Sequence, residues 1–140
     1  MSQFPHDDFA KNFLDSLLSP FGIVQPSHKI VSEGRYVDIY FQPQTNSIDE
    51  KSLGLLAKFA NTPIVIEPFR NSVKAIQIRS CMSKLFDLHL GLIKEAKKQQ
   101  KSEPVDDKLP DLWILTPTLS DRILAGMGAK LELEEWGEGV

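Results

Sequence analysis

Residues Thr62 to Phe69 read TPIVIEPF, and this run limits the fold more than any other in the chain. Ile64, Val65 and Ile66 are consecutive, so a strand built from them is apolar on both faces. Such a strand is stable inside a sheet that carries a layer on each side. The stretch DLWILTPT, starting at Asp111, has the same character and predicts a second interior strand. Its Trp113 reads as core.

Helical spacing surrounds these runs. From Asp7 to Leu18 apolar residues recur at Phe9, Phe13, Leu14 and Leu17, with Asp7 or Asp8 as cap and Pro20 and Gly22 as the stop. The following GIVQPSHKIVSE is β-branched and broken by Pro26, which predicts a broken or edge strand. RYVDIYF comes next. Alternation turns Val37, Ile39 and Phe41 one way and Tyr36, Asp38 and Tyr40 the other.

A short helix is predicted over residues 48–60, with Leu53, Leu56 and Phe59 on one side. The longest helical signal covers residues 73–98, with an inner stripe of Ile78, Met82, Leu85, Phe86, His89, Leu92, Ile93 and Ala96. KKQQKSEPVDDKLP reads as a solvent loop, and Ser120 as the cap of a last helix, SDRILAGM, ended by Gly128. The order α-β-β-(α)-β-α-β-α predicts an α/β fold: a single mixed sheet flanked by helices.

With 140 residues, 41% of them hydrophobic and 25% charged, the chain reads as one globular domain, residues 1–140. The C-terminal LELEEWGEGV, with Trp136 beside Gly137, reads equally as a chain end or as a C-terminal truncation where a further strand begins. A net charge of -3 gives no global attraction to polyanions, so nucleic-acid binding would need a local basic patch. The lone cysteine, Cys81, excludes a disulfide framework and a Cys-rich zinc module, and fits a reducing, cytoplasmic location. Within its helix Cys81 reads as a buried small apolar residue. MSQFPHDDFAKN lacks a secretory h-region, and no apolar run approaches the roughly 18 residues of a membrane span. No membrane partner is expected.

Two carboxylates stand out by position. Asp38 is in the middle of a strand, and Glu67 ends an interior one. Sites in open α/β sheets gather at strand ends, and acids from neighbouring strands suit a hard cation such as Mg²⁺. A cation held there lowers the pKa of a water and stabilises charge on a phosphate. The plainer reading leaves Asp38 facing solvent and Glu67 capping the helix that follows Pro68.

A helix, a strand, an Asp-bearing strand, an apolar strand ending in Glu, a long helix and another strand resemble the αβββαβ core of the PD-(D/E)XK, or restriction-endonuclease-like, nuclease superfamily. The order is similar to that of members allied to transposase-like recombination nucleases. That resemblance implies Asp38 and Glu67 as ligands of Mg²⁺ or Mn²⁺, with a lysine two residues past the glutamate positioning the attacking water. Phe69 occupies that position here. Lys74 or Gln77, on the following helix, is then the expected water-positioning group. A helix between the acidic strands also departs from the superfamily's hairpin. IEPFRNS, IRSCMSKL, LWILTPT and EWGEGV further resemble a family of cyanobacterial proteins without assigned function.

Other features point elsewhere. His6, His28 and His89 are scattered, without zinc-ligand spacing, and His89 reads as a hydrogen-bonded core residue. No nucleophile elbow, P-loop or dinucleotide glycine pattern occurs. KEAKKQQK, from Lys94 to Lys101, is either a solvated helix end or a nucleic-acid face. Arg70 and Arg79 would pair with Glu67 or contact phosphate. The sequence thus supports a metal-dependent nuclease or phosphodiesterase, or an inactive relic of one. The alternative is a non-catalytic protein-interaction module on the same fold.

Overall fold

A computed structural model describes residues 8–30, 35–44, 54, 56–99 and 108–129 of the chain. Helix α1 (Asp8–Leu18) runs through a 3-10 turn (Ser19–Phe21) into strand β1 (Gly22–Ile30), and β2 (Arg35–Pro43) follows. Next come a single helical turn α2 (Leu56–Phe59), β3 (Ile64–Pro68), the long α3 (Ala75–Lys98), β4 (Asp111–Leu115) and α4 (Asp121–Gly126). One mixed sheet holds the strands in the order β1-β2-β3-β4. The first two pairings are antiparallel and the β3–β4 pairing is parallel.

Alternation along the inner strands divides the core into two layers. Ile39, Phe41, Ile64 and Ile66 pack with Leu14 and Leu18 of α1 and with Leu56, Ala57 and Ala60. On the other side Tyr40 and Val65 meet Leu85 and Leu88 of α3, and Val37 joins them rather than Ile39 and Phe41. Phe69, Val73 and Cys81 form a smaller cluster beyond β3. The expected α/β class and the single mixed sheet with helices are therefore present. No helix among the described residues is long and apolar enough to cross a membrane.

Three further expectations change. Phe9 and Phe13 stack on each other in solvent, 78% and 56% exposed, while Leu14 of the expected face is buried together with Leu18. In α3 the inner face is Cys81, Lys84, Leu85 and Leu88, which turns Met82 and Phe86 outward. Strand β4 lies at one edge of the sheet among the described strands, not in its interior. Its run is apolar because both of its faces are covered: Trp113 and Leu115 pack on one cluster, Leu112 and Ile114 on others.

Several smaller expectations hold. Pro26 lies in β1, at the sheet edge. The Ser120 hydroxyl caps α4 by accepting from Ile123 N–H at 3.2 Å, and Gly128 follows at φ 68°. Residues 48–53, most of the predicted loop from Lys97 to Pro110, and Trp136 lie outside the described residues, wholly or in part.

Candidate active site

The β2–β3 ladder pairs Phe41 with Ile64, Tyr40 with Val65 and Ile39 with Ile66. Asp38 and Glu67 are the next residues beyond the last of these pairs, Ile39 with Ile66. The two acids predicted from sequence thus lie side by side on neighbouring strands. Here the Asp38 N–H donates to Glu67 Oε2, at 3.2 Å. Both are withdrawn from water, Asp38 at 8% exposure and Glu67 at 0%.

A lysine from each helical layer meets the pair. Lys84 of α3 forms an ion pair with Glu67 through Oε1 and donates to the Tyr36 carbonyl at 3.1 Å. Lys11 of α1 brings its Nζ to 4.0 Å from Asp38 Oδ1 and donates to Ser27 Oγ at 2.6 Å. Two acids and two ammonium groups therefore share one partly closed volume.

Burial pushes the Asp38 carboxyl up to about 8; the charge of Glu67 and a hydrogen bond to it act in the same direction, while Lys11 and Lys84 pull it down. The neighbouring Cys81 thiol is pushed up to about 12, first by burial and then by Glu67. Burial also raises Tyr40 and lowers His28, whose rings meet edge-on with centroids 5.0 Å apart.

The other predicted groups sit elsewhere or do other work. Lys74 is exposed at the head of α3, where its backbone N–H is capped by Gln77 Oε1 at 2.8 Å. Phe69, in the expected lysine position, is buried against Val73 and Cys81. Arg70 and Arg79 are exposed. His89 donates from Nε2 to the Pro110 carbonyl at 2.7 Å, the hydrogen-bonded role expected of it.

Sequence reasoning passed over Lys84 and Lys11, yet each carries a readable signal. Lys84 shares a helical face with Cys81, Leu85 and Leu88. Lys11 is three residues before Leu14 and seven before Leu18. A lysine on the buried stripe of an amphipathic helix needs a buried partner.

Among the described residues no group of three or more His, Cys, Asp or Glu side chains comes together. The available donor set is thus two hard carboxylates. By ligand type two carboxylates suit Mg²⁺ or Mn²⁺ better than zinc, but here Glu67 Oε1 is taken by Lys84 and Oε2 by the Asp38 N–H.

No family model matches the chain, and no curated protein or solved structure matches it either. The comparisons thus lend no support to a likeness to the nuclease superfamily or to the cyanobacterial family.

Proposed function

We propose that the chain is a divalent-metal-dependent phosphodiesterase of the nuclease kind, with Asp38 and Glu67 as metal ligands and Lys84 as the lysine of the site. The observation that carries this reading is the convergence of Asp38, Glu67 and Lys84 from β2, β3 and α3. The element order supports it too: a helix, three antiparallel strands, a long helix and a parallel strand are in the order that the resemblance implies, apart from the helical turn α2 between β2 and β3. Phe69 no longer counts against it, since Lys84 brings an ammonium to Glu67 from the helix instead of the strand.

A bound cation supplies positive charge to a phosphate and an activated water. The chain's own groups do the rest. Glu67 is fixed by the Asp38 N–H and by Lys84, and Lys84 is itself held by the Tyr36 carbonyl. The ammonium therefore stays beside the carboxylates at little further entropic cost. Exposed Lys94, Lys97 and Lys98 at the end of α3 offer a positive face to a nucleic-acid backbone.

One observation favours the competing interaction module. Met82, Phe86 and Leu90 recur every fourth residue on α3 and are all exposed. The two readings part on metal binding. Mn²⁺ added to the wild-type chain and followed by residue-resolved NMR should broaden Asp38 and Glu67 selectively, and Asp38→Ala should abolish the effect. Broadening spread over surface acids and indifferent to the substitution would sink the enzyme reading and leave the interaction module.

A further inference from the structure

We infer that Lys11 and Ser27 form a phosphate-holding rim on the Asp38–Glu67 site, reading the non-bridging oxygens of a phosphodiester; this rests on the metal-dependent phosphodiesterase reading above. The first support is register. β1 pairs Pro26 with Ile39 and His28 with Val37, which brackets Ser27 beside Asp38, and the Asp38 N–H reaches Glu67 Oε2 on the next strand. Ser27, Asp38 and Glu67 thus form one row across three strands.

That row is graded in exposure. Ser27 is exposed, the Lys11 side chain retains 19% of its surface, Asp38 is nearly closed off and Glu67 fully so. A ligand arriving from solvent meets the hydroxyl and the Lys11 ammonium before it meets the carboxylates. Lys84 cannot serve that end of the row, because it is buried against Glu67 and the Tyr36 carbonyl.

The chemistry of the rim suits an anion with several oxygens. An ammonium has three donors, and Ser27 Oγ takes one of them. At 4.0 Å from Asp38 Oδ1, Lys11 is outside hydrogen-bond range of that atom. Its remaining donors and the Ser27 hydroxyl can both turn to a phosphoryl group, and charge-assisted bonds of this kind are the strong ones.

Backbone strain points to the same place. Ser27 is the one non-glycine residue at positive φ among those described, at 54°. A left-handed serine within a strand is strained, and such residues persist where the surroundings hold them, often at ligand sites. Here the strained residue presents its hydroxyl to Lys11.

The test uses the full chain and two probes. Inorganic phosphate is titrated into wild-type protein and Lys11→Met, with the Ser27 amide and the Lys11 side chain followed by NMR. Mn²⁺-dependent hydrolysis of bis(p-nitrophenyl) phosphate is then split into KM and kcat. Lys11→Met should weaken phosphate binding and raise KM by about tenfold or more, as for one lost charge-assisted bond, with kcat little changed. Lys11→Arg should restore binding.

Mn²⁺ broadening at Asp38 and Glu67 serves as the control for an intact site in each variant. If that broadening persists while phosphate moves only residues such as Lys94 and Lys97, the rim assignment is wrong and the metal site stands. If the wild type shows no selective broadening, the phosphodiesterase reading fails and the rim falls with it.

Discussion

Lys84 and Glu67 are held 9% and 0% exposed at their side chains, so neither charge has water to fall back on. Removing one partner of such a pair strands the other, at about 3–5 kcal/mol, whereas replacing both with neutral groups of similar shape costs far less. Lys84→Met should therefore lower stability by about that amount in urea unfolding. Adding Glu67→Gln should recover most of the loss, a coupling that only contacting groups show. Strictly additive effects would mean that the two side chains are not paired in solution. Cys81 offers a second reading of the same interior. Its thiol is buried and pushed up to about 12, so at neutral pH it carries almost no thiolate. A disulfide reagent such as Ellman's should leave the native chain unmodified and should titrate one thiol per chain once urea unfolds it. Rapid reaction of the native protein would show that α3 does not pack as described.

At the scale of elements, Gly22 is the point where the turn after α1 enters β1. Its φ of 172° is ordinary extended backbone, so the need for glycine there is one of space. A Cβ would come within 2.3 Å of the Gln42 carbonyl oxygen and 2.8 Å of Pro43 Cα. Both are backbone atoms of the paired strand and cannot swing aside. Gly22→Ala should cost about 1–3 kcal/mol by overpacking, read as a lower urea midpoint with unchanged slope. A neutral result would mean that β1 and β2 do not meet at that register. Strand positions such as these were legible because two-residue alternation and doubly apolar runs report burial directly, as Ile39, Phe41 and Ile64 to Ile66 show. The phase of α3 was not legible from apolar spacing alone. A hydrophobic template admits Met82 and Phe86 and has no place for Lys84, whose burial depends on Glu67 from a distant strand. Asp38 and Glu67 stood out because acids inside strands are rare. Their adjacency, and the approach of Lys11 and Lys84, follow from strand order and register, which no single run encodes.

For the molecule as a whole, the buried acid pair sets how stability responds to pH. Folding pushes Asp38 from its ordinary 3.8 up to about 8, chiefly because burial penalises its charged form. Between those values the folded chain keeps a proton that the unfolded chain has released. Its contribution to stability is therefore complete below about pH 4, is lost as pH rises, and is gone above about 8. The slope from this one group is at most about 1.4 kcal/mol per pH unit. Asp38→Asn isolates it. With chelator present, the stability of wild type minus that of the variant should fall from pH 5 to pH 8 and level off beyond, in urea unfolding at constant ionic strength. A difference that stays flat over the same range would mean that Asp38 is already ionised in the folded chain. Mn²⁺ gives the experiment its second half. Ligands must be deprotonated to bind a metal, so a cation held between Asp38 and Glu67 expels the proton and stabilises the folded state more strongly as pH rises. Saturating Mn²⁺ should thus flatten the wild-type slope while leaving Asp38→Asn unmoved. A slope untouched by Mn²⁺ would leave the carboxylates as a buried structural pair, with Lys84 and Lys11 beside them.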